Sequence, residues 1–247
     1  MSSIGVQLRL AKLFREDGRS AIVALDHGAI VGPQPGWTDP EPTIRAILDA
    51  RPDAIITTLG IFQKYVDPIK GSKTPIILSV PLMDDVSNVI ELSAKMGVDA
   101  VKFFLAVNGG NDDSYNLLKF YKATTICSSY GIPVVGEMYP VKSDKIADPR
   151  NQDIVAKYSR IGMESGANVI KTFYTGSEES FREVVRSCPI PVLILGGEKM
   201  NTDKELLETI GAAMRAGAAG AAIGRNVWQH KDPNTITKSI IKVIHGS

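Results

Sequence analysis

Cysteine is scarce in this chain, an excess of charge of either sign is missing, and no apolar run reaches the length of a membrane span. The two cysteines, Cys127 and Cys188, have no metal-ligand spacing and no matching pattern. They read as small core hydrophobes in a reducing compartment. Lys+Arg 28 against Asp+Glu 27 leaves a net charge of +1 without a basic stripe or charged block, which argues against nucleic acid as a partner. No apolar signal core stands near Met1. Leu8, Leu10, Leu13 and Phe14 alternate there with Arg9, Lys12 and Arg15, the pattern of an amphipathic helix. The expectation is a cytoplasmic protein that does not enter a membrane. No composition shift or Pro/Gly-rich linker divides the chain, so residues 1–247 read as one domain.

What the chain does have is a recurrent order of short apolar runs, each followed by a helical pattern. The runs at 20–25, 53–58, 75–80, 99–104, 133–137, 168–172, 191–195 and 220–223 predict strands. Helical periodicity covers 41–50, 60–66, 86–96, 114–129, 152–165, 178–186, 203–216 and 234–244. Strand–helix units in that number predict an α/β fold, a (β/α)8 TIM barrel, with an extra N-terminal helix across its bottom. A doubly wound open sheet would carry a phosphate loop after its first strand, and Asp26-His27-Gly28 is not one.

Two of the runs share a finer pattern. Gly166-Ala167-Asn168-Val169-Ile170-Lys171-Thr172-Phe173 and Gly97-Val98-Asp99-Ala100-Val101-Lys102-Phe103-Phe104 both place a lysine near the end of an apolar strand and an aromatic residue after it. A lysine is costly in a buried strand unless its ammonium reaches a cleft or a carboxylate. A desolvated lysine beside a like charge favours the neutral amine, which attacks carbonyls to form a Schiff base. A lysine that snorkels to the rim or sits in a structural ion pair produces the same pattern.

In a barrel of this kind the active site is built from strand C-termini and the loops after them. Those positions hold Asp26 and His27, Thr57 and Thr58, Asp84 and Asp85, Lys102, Glu137 and Tyr139, and Lys171. Gly196-Gly197-Glu198-Lys199 and Gly224-Arg225-Asn226 follow the seventh and eighth strands, where barrels commonly bind phosphate. Glycine lets backbone N–H groups approach an anion, and Arg225 adds a fixed charge. His27 sits on a turn that aims it either at the site or away from it. Lys199 reads as a solvated loop charge, and Trp37 and Trp228 as packing residues. No cluster has metal-ligand spacing, and nothing in the sequence requires a cofactor.

Over nearly its whole length the chain resembles the Schiff-base aldolases of the archaeal fructose-bisphosphate aldolase type and their bacterial relatives. The likeness lies in Ala24-Leu25-Asp26-His27-Gly28, Met138-Tyr139-Pro140, Val169-Ile170-Lys171-Thr172-Phe173-Tyr174-Thr175-Gly176, Gly196-Gly197 and Gly224-Arg225-Asn226-Val227-Trp228-Gln229. The resemblance implies that Lys171 is the Schiff-base lysine, Asp26 an acid–base partner, and Tyr139 the proton donor at the enamine carbon. It implies that Gly196, Gly197, Gly224 and Arg225 hold the phosphate of a phosphorylated sugar, and that the protein is a homo-oligomer. Mid-chain, Ala100-Val101-Lys102-Phe103-Phe104-Leu105 and Glu137 are similar to tagatose-bisphosphate and sulfofructose-phosphate aldolases, in which a further lysine and a glutamate line the site. Where the archaeal type continues Tyr-Pro with Arg-Gly, this chain has Val141-Lys142. The stretch from Lys171 to Lys199 is also similar to aminodeoxyheptulosonate synthases and to a thiolase of phosphorylated autoinducers. A lyase is therefore expected, with Asp26 or Glu137 as the base at the C4 hydroxyl. The alternatives are a transferase that uses the same Schiff base and a phosphosugar-binding protein that turns nothing over.

Overall fold

The computed structural model of the chain describes residues 3–246. Eight parallel strands close into a barrel in chain order: β1 Ser20–Ala24, β2 Ala54–Thr57, β3 Ile76–Val80, β4 Ala100–Val107, β5 Val134–Pro140, β6 Val169–Thr172, β7 Val192–Leu195 and β8 Gly220–Ile223. The helices are α1 Ile4–Leu13, α2 Gly28–Val31, α3 Pro40–Asp49, α4 Leu59–Lys64, α5 Val66–Ser72, α6 Ser87–Lys95, α7 Asn111–Ser129, α8 Gln152–Glu164, α9 Glu178–Ser187, α10 Asp203–Arg215, α11 Arg225–Trp228 and α12 Pro233–His245. This is the TIM barrel that the alternation of apolar runs predicts.

A strand in a closed barrel has two buried faces, and its side chains divide between them with a period of two. Ile22, Ala24, Ala54, Ile56, Ile77, Ala100, Val135, Val169, Leu193 and Ala222 fill the barrel interior. Val23, Ile55, Leu78, Val101, Phe103, Val134, Ile170 and Ile194 point outward and form the larger core beneath the helices. Phe103 and Phe120 meet edge to face in that outer layer, with centroids 6.2 Å apart. The seam between β8 and β1 sets Gly220 against Ser20. A Cβ on Gly220, at φ +141°, would lie 1.9 Å from the Ser20 carbonyl oxygen, so closure requires glycine there.

Helix α1 plugs the end of the barrel opposite the chemistry. Ser3 caps it by accepting from the Val6 N–H. Leu13 joins the interior cluster. Arg9 donates to the Val98 and Gly131 carbonyls, and Lys12 pairs with Asp99 at 2.8 Å, all on segments that lead into strands. Of the predicted amphipathic helix, Met1 and Ser2 lie outside the described residues.

Some boundaries differ from expectation. The fourth and fifth strands run on to Val107 and Pro140, because the two-residue alternation continues there and keeps Leu105, Val107 and Met138 buried. The helix expected over 60–66 divides into α4 and α5 where Tyr65 leaves helical geometry at φ −114°, ψ 34°. The four-residue helices α2 and α11 are too short for a sequence period to register.

Candidate active site

Continuing five of the interior series upward by two residues brings a polar side chain to the mouth. Asp26 follows Ala24, Ser79 follows Ile77, Lys102 follows Ala100, Glu137 follows Val135 and Lys171 follows Val169. Lys102 is in register with Ser79 and Val135, two residues below Glu137, which is level with Lys171. The long stem of Lys102 brings its ammonium up to the carboxylates.

The result is a linear array of alternating charge. Lys102 Nζ donates to Asp26 Oδ2 and to Glu137 Oε2, each at 2.7 Å, and Lys171 Nζ lies 2.7 Å from Glu137 Oε1. All four side chains are nearly closed to solvent, with exposures of 8% for Asp26, 3% for Lys102, 7% for Glu137 and 5% for Lys171. Glu137 stands between the two lysines, so each ammonium meets a carboxylate before it meets the other's charge. The like-charge repulsion expected from two adjacent lysines is countered by a carboxylate bonded to both.

Burial opposes charge on Asp26, but Lys102 and Lys171, with a hydrogen bond from Ser79, hold its carboxyl down at about 2. Burial likewise opposes charge on Glu137, and the two lysines outweigh it and lower its pKa. The same carboxylates overcome desolvation at Lys102 and hold it firmly as an ammonium. Groups whose pKa is lowered on folding stabilise the fold above their ordinary values, and that stability is lost as pH falls through the folded value. Asp26's share therefore disappears between its ordinary 3.8 and about 2. Lys102, raised, contributes below its ordinary 10.5 and loses its share as pH rises beyond it. Urea melts from pH 2 to 12 should show a neutral plateau with a fall at each end, and Asp26→Asn should flatten the acid limb. An acid limb unchanged by that substitution would contradict the assignment.

Tyr139 stands above this array, its ring tilted against Phe104 at 5.3 Å and Phe173 at 4.6 Å. A cavity of about 230 Å³ opens over Lys171, Tyr139, His27, Gly196, Gly197 and Arg225. His27 thus faces the site. Desolvation and the nearby Arg225 charge lower its pKa, so at neutral pH it is an uncharged hydrogen-bonding group.

The two glycine loops are tied together across the mouth. Arg225 donates to the Gly197 carbonyl at 2.8 Å, and Asn226 donates to the Gly196 and Glu198 carbonyls and accepts from the Met200 N–H at 2.7 Å. Gly197 takes φ +61°, and a Cβ on Gly224 would come 3.1 Å from the Ala24 carbonyl oxygen.

The structure adds three residues that the sequence reading did not assign. Ser79 is marked only by its place two residues after Ile77. Asn226 lies within a quoted motif, and its bracing role depends on contacts 26 to 30 residues away in sequence. Arg150 reaches back from the loop after β5 to stand 5.7 Å from the Phe173 ring centroid, on the Gly197 side of the mouth. It supplies an arginine to the loop in which Val141-Lys142 replaces Arg-Gly. Asp84 and Asp85 are not part of the array. Asp84 accepts from the Tyr115 hydroxyl and pairs with Lys119, while Asp85 accepts from the Ser87 N–H. Both are exposed because the chain has already turned toward α6. Lys199 is exposed and donates to the Gln229 carbonyl, and Trp37 packs on Trp228 at 5.9 Å.

Comparison with known proteins follows the same line. An uncharacterized aldolase of Saccharolobus solfataricus is 34% identical over 262 residues, covering 98% of this chain and 95% of that protein. A 2-amino-4,5-dihydroxy-6-oxo-7-(phosphonooxy)heptanoate synthase of Streptomyces griseus is 30% identical, covering 97% and 90%. Among solved structures, an archaeal fructose 1,6-bisphosphate aldolase superposes with a TM-score of 0.84 at 28% identity, covering 98% of this chain and 100% of that one. Another, with its catalytic lysine covalently bound to the carbinolamine intermediate of the substrate, gives 0.83 at 27% identity, covering 98% and 100%. The family model described as DeoC/LacD family aldolase matches residues 20–230, and the chain belongs to that family.

Proposed function

We propose that this protein is a class I aldolase, a metal-independent aldehyde-lyase that cleaves and forms a C–C bond of a phosphorylated ketose through a Schiff base on Lys171. The observation that carries the reading is the buried Asp26–Lys102–Glu137–Lys171 array at the floor of a cavity whose other end is the glycine and Arg225 mouth. Lys171 passes a proton to Glu137 Oε1, 2.7 Å away, and attacks the ketose C2 carbonyl. Water leaves and a protonated imine forms. Electrons of the C3–C4 bond flow into that iminium, giving an enamine, while the C4 hydroxyl loses its proton and becomes an aldehyde. The iminium is the electron sink, so the chemistry needs no metal.

Asp26 accepts the hydrogen bond of the C4 hydroxyl and takes its proton. A carboxyl group held at about 2 is a weak proton sink, so the Lys102 ammonium carries part of the developing negative charge on that oxygen. Glu137, between the lysines, serves the proton transfers of the Schiff base. Tyr139, braced by two aromatic rings, protonates the enamine carbon, and water then releases the ketone. The N–H groups of Gly196, Gly197 and Gly224, with Arg225 and neutral His27, take the phosphate.

The relative named as a heptanoate synthase favours a second reading, in which the enamine passes to another substrate rather than to a proton. Borohydride trapping with a panel of ketose phosphates tests both. The expected result is an adduct on Lys171 and release of dihydroxyacetone phosphate without an acceptor, unchanged within about twofold by excess chelator. Release only when an acceptor is supplied selects the transferase. An adduct on Lys102 exchanges the roles of the lysines, and no adduct with any ketose sinks the Schiff-base reading.

We also infer a cytoplasmic homo-oligomer. The free, buried Cys127 and Cys188 fit a reducing compartment, with burial pushing the Cys127 thiol up to about 12. Tyr115, Leu118 and Tyr121, each more than half exposed along α7, support assembly, which sedimentation of the purified chain decides.

A further inference from the structure

The cavity over Lys171 does not end at the charge array. A second cavity, of about 780 Å³, opens over the ends of β2, β3 and β4, and Asp26, Ile30, Lys102 and Phe104 line both. A ketose with its carbonyl on Lys171 and its phosphate against Arg225 passes the Asp26–Lys102 boundary with the half beyond the scissile bond. That half enters the second cavity.

The lining there differs sharply from that at the phosphate end. Leu59, Leu82, Leu105 and Phe104 give it an apolar wall, and Thr58, Ser79 and Asn116 give it neutral hydrogen-bonding groups. Among the described residues that line it, only Asp26 and Lys102 are ionisable, and they are paired with each other at 2.7 Å. Lys119, one turn beyond Asn116 on α7, is held by Asp84 at 3.3 Å and lies 4.3 Å from the Tyr115 ring centroid. The start of α4 reaches the cavity, but that helix has six residues and its Ile61 N–H is already taken by the Thr58 hydroxyl. A phosphate or carboxylate brought here would lose water and find no unpaired cation.

We infer that the second cavity is the aldehyde subsite and that it takes an aldehyde bearing neither phosphate nor carboxylate, a short hydroxyaldehyde or an aliphatic one. The inference rests on the Schiff-base reading above and narrows its substrate to ketoses phosphorylated at one end only. A ketose bisphosphate places its second dianion in this cavity, and an acceptor ending in an amino-acid carboxylate meets the same obstacle.

The test is aldol addition by the full chain, with dihydroxyacetone phosphate as donor and glyceraldehyde, butanal and glyceraldehyde 3-phosphate as acceptors. Expected kcat/KM values for the two neutral aldehydes exceed that for the phosphorylated one by at least about tenfold. Leu82→Arg, which puts a cation in the cavity, should shift the ratio of glyceraldehyde 3-phosphate to glyceraldehyde upward by about tenfold. Asn116→Lys makes the same test from α7 if the first variant does not fold. Preference of the unsubstituted chain for glyceraldehyde 3-phosphate overturns the inference, as does a ratio that neither folded variant moves. Borohydride trapping of the donor alone separates the two levels of the reading. Donor trapped on Lys171 with no aldehyde accepted removes the subsite and leaves the Schiff base standing, whereas failure to trap any donor removes both.

Discussion

Lys171→Ala is expected to abolish covalent capture of any ketose phosphate and to lower kcat/KM by at least about 10⁴-fold, because the iminium is the electron sink for the bond that breaks. A loss of that size corresponds to about 5.4 kcal/mol of transition-state stabilisation. The neighbouring lysine does not substitute. Both lysines line the cavity that contains Tyr139 and Arg225, but Lys102 is engaged by two carboxylates at 2.7 Å and is held as an ammonium, whereas Lys171 has one carboxylate partner. Lys171→Arg keeps a positive charge against Glu137 but cannot form an imine, so it should match the alanine variant in activity and the parent in thermal stability. Retention of turnover by either variant would transfer the Schiff base elsewhere. Activity lost only in parallel with stability would mean that the array is structural.

The array was legible in the sequence for a physical reason. Catalytic side chains in a barrel continue the same two-residue alternation that fills its interior, so Lys102 two residues after Ala100, and Lys171 two after Val169, stand out as charges on an apolar face. Asp26 and Glu137 follow by the same count from Ala24 and Val135. Ser79 obeys the rule equally, but a serine after Ile77 carries no charge to signal it. The order of the array was not legible. Sequence alone brings two lysines to one mouth, where repulsion between them is the expectation; the barrel's register sets Glu137 level with Lys171 and places it between them. Asn226 and Arg150 act through contacts across loops, and loop geometry has no period. Asp84 and Asp85 show the opposite error, since a position after a strand predicts the mouth only for the first residue or two before the chain turns away.

Glu137→Gln should produce the other large effect, on stability and activity together. The array contains two carboxylates and two ammoniums, all nearly closed to solvent. Removing the charge of Glu137 leaves two buried lysines to share Asp26, and breaking a buried ion pair from one side costs about 3–5 kcal/mol. In a protein of this size each kcal/mol moves the melting temperature by about 2–4 °C, so a fall of about 6–20 °C is expected at neutral pH. Loss of the proton carrier beside Lys171 should lower kcat by about 10²–10⁴-fold. Charge balance and chemistry can then be separated by a second substitution. Glu137→Gln combined with Lys102→Met leaves one carboxylate, Asp26, and one ammonium, Lys171, whose charges already act on each other. The double variant should therefore regain at least about half of the stability lost in Glu137→Gln, about 1.5–2.5 kcal/mol, so that the two substitutions are not additive. Its activity should not recover, because neither the proton carrier nor the cation that balances the C4 oxygen is restored. Additive losses of stability would show that the four charges do not act as one unit, and recovered turnover would show that Glu137 has no part in the chemistry.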